Sequence, residues 1–241
     1  PESTFPGARV HHAHLIDHDD PRSIEFRRRF WQRECSMSEV QTVNGTDGQP
    51  RCRWCSATPE YEAYHDHEWG FPVGEDIRLF EKLCLESFQS GLSWRTILAK
   101  RENFRKAFDG FDFHRMATYG ERDVSRLLLD EGIVRHRGKI EAVIHNAARA
   151  VSLQAECGSL AAYFWRYEVD PAQAAPPQTV STSPEAVRLA KDLKKRGWKF
   201  VGPTTVYAFM QAMGLVNDHA QGCIVASRVD RARAAFKVPL A

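Results

Sequence analysis

Leu193-Lys-Lys-Arg-Gly-Trp-Lys-Phe-Val-Gly-Pro-Thr-Thr-Val206 is the stretch on which the fold turns. One helix ends here at Gly197, and a second opens at Pro203. Glycine suits the residue just past a helix end, and proline is preorganised for a first helical turn. Gly197 and Gly202 are expected to supply the positive φ values of a tight interhelical turn. Backbone N–H groups at the start of the second helix, flanked by lysines, can hold a phosphate. An ordinary αα-hairpin fits the same residues.

Outward from this hairpin the pattern stays helical. Ser183-Pro184-Glu185 starts the preceding helix, and the Pro, Ser, Thr and Ala-rich residues 170–184 form a loop. Earlier helical stripes are Leu160 to Tyr167, then Ile140, Val143, Ile144, Ala147 and Val151. Val124, Leu127 and Leu128 follow an expected Asp123 cap and end at Gly132. Trp94, Ile97, Leu98, Phe104 and Phe108 follow Ser93; Ile77, Phe80, Leu83, Cys84 and Phe88 follow Asp76 and stop at Gly91. Period-2 alternation is absent beyond a few residues. The fold class is therefore all-α.

With 241 residues, 43% hydrophobic and 27% charged, the chain has the composition of an ordinary globular protein. No stretch approaches the roughly 18 apolar residues of a membrane span, and the start shows no secretory signal. Six scattered cysteines suit a reduced, cytoplasmic setting with metal binding better than a disulfide scaffold. A net charge of +2 does not announce nucleic acid. The clusters Arg135, Arg137, Lys139 and Lys191, Lys194, Lys195, Arg196, Lys199 read as solvated helix faces. Residues 1–50 carry His11, His12, His14, His18 and Arg27-Arg28-Arg29, with a short helix around Ile24–Trp31. They read as a disordered extension, with Met37 as an alternative start.

Metal-ligand residues fall at both ends of the rest: Cys52 and His65 early, His219 and Cys223 late. One tetrahedral zinc taking all four would have no open position and be structural. Cys55 and His67 are competing donors, and unrelated buried thiols and histidines are the plain alternative. Glu86 shares a helix side with Leu79 and Leu83, where a carboxylate must find donors, a cation such as Arg95, or a ligand. Trp54, Tyr61, Tyr64, Trp69 and Trp94 crowd the same region, as core or as a binding surface.

The segments Cys52-Arg-Trp-Cys55, Tyr61-Glu-Ala-Tyr-His-Asp-His-Glu-Trp-Gly70, Leu83-Cys-Leu-Glu86, Gly91-Leu-Ser-Trp94, Gly132-Ile-Val-Arg-His-Arg-Gly-Lys-Ile140 and Gly197 through His219 resemble the DNA-3-methyladenine glycosylase I family. That family is a branch of the helix-hairpin-helix glycosylases, and the resemblance spans roughly residues 51–226. It implies a glycosylase domain at 51–228 with a tail at 229–241. It further implies a structural Zn2+ on Cys52, His65, His219 and Cys223, joining the two ends. Glu86 would accept hydrogen bonds from a flipped 3-methyladenine, with Tyr64 and Trp94 lining its pocket and Trp54, Tyr61 and Trp69 around it. An acceptor-only carboxylate and electron-rich ring faces suit a cationic base, which unmethylated adenine is not. Lys199, Gly202 and Thr204 of the hairpin would meet the DNA backbone.

Where related glycosylases carry a catalytic Asp, this chain has Asn217, and no lysine matches a nucleophile position. A monofunctional hydrolase follows, acting by base flipping on alkylated double-stranded DNA. A monomer, cytoplasmic and nucleoid-associated without membrane contact, is expected. The competing readings are a non-catalytic helix-hairpin-helix DNA-binding module and a Cys52/Cys55 redox protein.

Overall fold

Every residue from Leu79 to Phe88 is buried, Glu81, Lys82 and Glu86 included. The segment that carries them therefore runs through the interior rather than along a surface, and several other helices pack against it. The computed structural model describes residues 41–239. The readings made for residues 1–40 lie outside that range.

Chain order begins with a small antiparallel hairpin of β1 (Thr42–Asn44) and β2 (Pro50–Cys52). Helices α1 (Pro59–His67) and α2 (Asp76–Gln89) follow, then α3 (Trp94–Ala99), α4 (Arg101–Ala107), α5 (Phe113–Met116) and α6 (Glu121–Leu129). The long α7 (Arg137–Cys157) leads to α8 (Leu160–Phe164), α9 (Pro184–Lys195), α10 (Pro203–Ala212) and α11 (Ala226–Ala235). Helix α2 touches α3, α7, α8 and α10, and α9 packs along α10. Among the described residues the all-α reading holds but for that one β-hairpin.

Local sequence sets these boundaries. Thr58, Ser93, Ser159 and Ser183 each accept a backbone N–H of the first turn that follows, and Pro59, Pro184 and Pro203 open their helices. Two expected caps differ. Glu75 stands at the cap of α2, and Asp76 instead binds Gln154 at 2.7 Å and the Ala161 N–H at 3.1 Å, tying α2 to α7 and α8. Gly120 caps α6, with Asp123 accepting the Gly120 N–H from inside the helix at 3.1 Å. Ile77, placed on the apolar stripe, is exposed.

The hairpin between α9 and α10 forms as read, with one substitution of roles. Gly197 has φ +84°, but Gly202 sits at φ −69°, and the second left-handed residue is Phe200 at φ +56°. Tertiary contacts hold that turn. Asn146 of α7 donates to the Lys199 carbonyl at 2.9 Å and accepts its N–H at 2.8 Å, while Ser87 donates to the Phe200 carbonyl. Both flanks of the 51–228 segment also take part in the packing. β1 lies before it, and beyond it Val229 is buried and Phe236 stacks on Trp165 at 4.5 Å.

Candidate active site

A cavity of about 340 Å³ opens between α1, α2 and α10, within the roughly 300–1,000 Å³ of small-molecule sites. Its wall includes Trp54, Tyr61, Tyr64, Trp69, Glu86 and Trp94, so the carboxylate and the five aromatic residues singled out from sequence meet in one place. The rings form a continuous lining: Trp54 meets Tyr61 and Trp69 at 4.9 Å between centroids, and Tyr64 meets Trp94 at 5.5 Å. Burial, with the Glu86 carboxylate next in effect, pushes the Tyr61 hydroxyl up to about 12.

Glu86 is buried and paired, though not with Arg95, which is exposed. Its partner is Lys82, one turn earlier on α2, at 2.7 Å. Lys82 also donates to the Tyr64 hydroxyl at 2.9 Å and stands over the Trp94 ring, 3.0 Å from its centroid. Burial outweighs the pull of Glu86 and holds its ammonium down at about 8. Sequence reading passed over Lys82, although a Lys–Glu pair four residues apart on a helix was there to see.

A second carboxylate lines the cavity. Asn217, read at a catalytic-Asp position, does not face it: Asn217 donates to Asp230 at 2.7 Å and to the Ala226 carbonyl at 3.0 Å. The adjacent Asp218 does line it, accepting from the Gln178 N–H at 2.8 Å and the Gln211 amide at 2.5 Å. Burial raises its pKa.

From the mouth, a shallower groove bounded by Glu86, Gln89, Gly91, Leu92, Thr204 and Thr205 runs to the start of α10. Thr204 lines it and is exposed, Gly202 caps the helix, and Lys199 of the preceding turn is exposed as well. Leu92 is a large apolar side chain left 43% exposed at this edge. Lys139, assigned to a solvated basic face, is instead buried, donating to the Phe88 and Ser90 carbonyls at 2.9 and 2.6 Å. It terminates α2, and so sets where the loop with Leu92 begins. Arg137 is held by Glu121 and Glu141.

Cys52, His65 and Cys223 bring their donor atoms within 4.8 Å of one another, all buried. Asp66 and Asn217 each engage the Nδ1 of one histidine. His65 donates its Nδ1–H to Asp66 at 2.7 Å, which turns Nε2 toward the Cys223 sulfur at 3.5 Å. His219 donates its Nδ1–H to the Asn217 oxygen at 2.9 Å, and its buried Nε2 has no partner. Its ring lies 4.9 Å from that of His65, and burial keeps it neutral down to about 4. A buried lone pair without a donor beside three clustered ligands fits a tetrahedral cation. The Ala220 N–H donates to the Cys52 sulfur at 3.2 Å, as suits a thiolate ligand. Cys55, the competing donor, points its thiol at the Cys52 carbonyl at 3.0 Å, and His67 is exposed. Trp69 joins the two regions, its ring 4.6 Å from His219 while it lines the cavity.

A family profile described as methyladenine glycosylase matches residues 54–226. The chain is 48% identical over 177 residues to DNA-3-methyladenine glycosylase 1 of Escherichia coli (strain K12), covering 72% of this chain and 95% of that one. It is 40% identical over 182 residues to the DNA-3-methyladenine glycosylase of Haemophilus influenzae, covering 72% and 96%. Among solved structures, a crystal structure of a 3-methyladenine DNA glycosylase I superposes with a TM-score of 0.66 at 48% identity, covering 72% of this chain and 98% of that one. The Staphylococcus aureus 3-methyladenine DNA glycosylase I, solved for the basis of its 3-methyladenine recognition, gives 0.67 at 35% identity, covering 73% and 96%.

Proposed function

The chain belongs to the methyladenine glycosylase family and is a DNA glycosylase, and from that premise we propose that it hydrolyses the C1′–N9 bond of 3-methyladenine in alkylated duplex DNA. The observation that carries this reading is the convergence of Glu86 and five aromatic residues on one cavity, beside the start of α10. The first-turn N–H groups of α10 lack intrahelical partners and would take a DNA phosphate, with Gly202, Thr204 and Lys199 at the contact. Leu92 would wedge into the stack vacated by the flipped nucleotide. The damaged purine, weakly paired, is cheaper to extrude than a normal one.

Inside, Glu86 accepts hydrogen bonds from the base, and Tyr64 and Trp94 flank it with Trp54, Tyr61 and Trp69 behind. The bond breaks heterolytically: its electron pair goes to N9 and neutralises the purine, and water adds at C1′. Methylation makes the purine a good leaving group, so no covalent enzyme intermediate is required. The enzyme is monofunctional on this reading, working as a monomer on cytoplasmic, nucleoid DNA. Among the described residues no helix is long and apolar enough to cross a membrane.

Cys52, His65, Cys223 and His219 would hold a structural zinc, the orphaned His219 Nε2 supplying the fourth lone pair. When bound, the ion supplies coordinate bonds between the start and the end of the glycosylase domain and takes no part in the reaction.

Methylated duplex DNA provides the test. Wild-type protein should release 3-methyladenine without cutting the strand, and Glu86→Gln should be slower by at least about tenfold, the worth of one charged hydrogen bond. Strand scission with a borohydride-trapped adduct, or equal rates in the two proteins, would overturn this assignment.

A further inference from the structure

Arg51 and Asp66 stand next in the chain to two of the residues offered above as zinc ligands. Arg51 precedes Cys52 on β2, and Asp66 follows His65 on α1. The two are paired: the guanidinium meets the Asp66 carboxylate through Nε at 3.0 Å and through Nη2 at 2.8 Å. Asp66 in turn accepts the Nδ1–H of His65 at 2.7 Å. An ionised carboxylate can only accept, so this bond keeps the proton on Nδ1 and leaves Nε2 its lone pair. The far side of the guanidinium is held as well. Asp47, in the turn between β1 and β2, accepts from Nη1 at 2.7 Å and from Nη2 at 2.9 Å. The Arg51 side chain is buried with all three nitrogen atoms engaged, and Glu62 stands 3.6 Å from Nε as a further acid.

We propose that the β1–β2 turn is a positioning device for the metal: Asp47, acting through Arg51 and Asp66, fixes the His65 ring and its spacing from Cys52. This rests on the zinc reading. The turn lies before the region 54–226 that the family profile matches. A ligand ring that is already aimed has little freedom left to lose when the cation arrives, whereas a loose one must be ordered at that moment. A carboxylate behind a ligating histidine does this, and its removal costs roughly 10- to 100-fold in metal affinity. Asp66 has side-chain torsions of its own, and the two-point contact with Arg51 removes them. Asp47 grips the opposite edge of the same plane and keeps it from turning toward Glu62.

Zinc affinity, measured by competition with a chromophoric chelator at fixed pH, reads this device without any excision. Wild type, Asp47→Ala, Asp66→Ala and the double variant are compared. Asp66→Ala should bind zinc more weakly by roughly 10- to 100-fold. Asp47 is half exposed, so its replacement spares the core, and Asp47→Ala should weaken zinc by on the order of fivefold, within the coupling that members of one network show. In the Asp66→Ala background the Asp47 change should do nothing further, because the path runs through Asp66. Should Asp66→Ala not fold, Asp66→Asn keeps the volume and puts an NH2 where one of the two acceptors stood.

Other roles for Asp47 give different results. A direct attraction between its charge and the ion would cost the same in both backgrounds. A purely structural turn would lower the melting temperature of the metal-free protein and leave zinc affinity where it was. Either result overturns the proposal. Wild-type protein that takes up no zinc sinks the zinc reading itself, while zinc-loaded wild type matched in affinity by Asp47→Ala sinks this inference alone.

Discussion

At position 70 the backbone turns with φ +85°, and a Cβ built there would lie 2.7 Å from the Cε1 of His219. Both facts demand glycine, one for conformation and the other for space. Gly70→Ala should therefore push the His219 ring off its Asn217 hydrogen bond as well as strain the turn. The expected outcome is a loss of about 1–3 kcal/mol in stability, with reduced zinc per protein in the purified variant. An unchanged melting temperature and metal content would show that His219 can shift freely. Glu86 shows what a single residue reveals in sequence. Its place on the inner side of α2 announced a carboxylate in need of a partner, and Lys82, four residues earlier, was the cation within helical reach, although Arg95 was the one singled out.

The hairpin between α9 and α10 is held from outside itself. Asn146 satisfies both backbone groups of Lys199, and His145 bonds the Gly197 carbonyl at 2.8 Å. Asn146→Ala would leave a buried-side N–H and C=O without partners, at about 1–3 kcal/mol. Duplex DNA should then bind more weakly, while free 3-methyladenine binds as before, because the cavity wall is untouched. Gel-shift and fluorescence titrations on one preparation would check both halves. Helix positions were legible here, since Gly197 and Pro203 are local signals. The left-handed Phe200 was not, because its conformation is imposed by Asn146 and Ser87 from other helices.

At the scale of the molecule, Cys52 and His65 meet Cys223 across most of the described chain, with His219 alongside. Stripping the proposed zinc with a chelator should lower the melting temperature by on the order of 10 °C, as a few kcal/mol would in a domain of this size. Cys223→Ser should reproduce that loss, and Cys55→Ser should not, its thiol being spent on a backbone carbonyl. A melting curve indifferent to the chelator would remove the zinc. Because Trp69 spans from His219 to the cavity, metal loss should also reduce base affinity.

By itself the sequence determined the helices, their caps in most cases, and the residue types of the site, for these follow from periodicity and short-range chemistry. Residues 52, 65, 219 and 223 could be named as candidate donors, with Cys55 and His67 competing, and Glu86 and the five aromatic residues as candidates for the site. Only tertiary structure decided which of them share a space: that Asp218 rather than Asn217 faces the cavity, and that Lys82 stands between Glu86 and Trp94. The reason is burial. A helix enclosed on all sides, as α2 is from Leu79 to Phe88, brings side chains from its whole circumference into contact with neighbours that no single period in the sequence encodes.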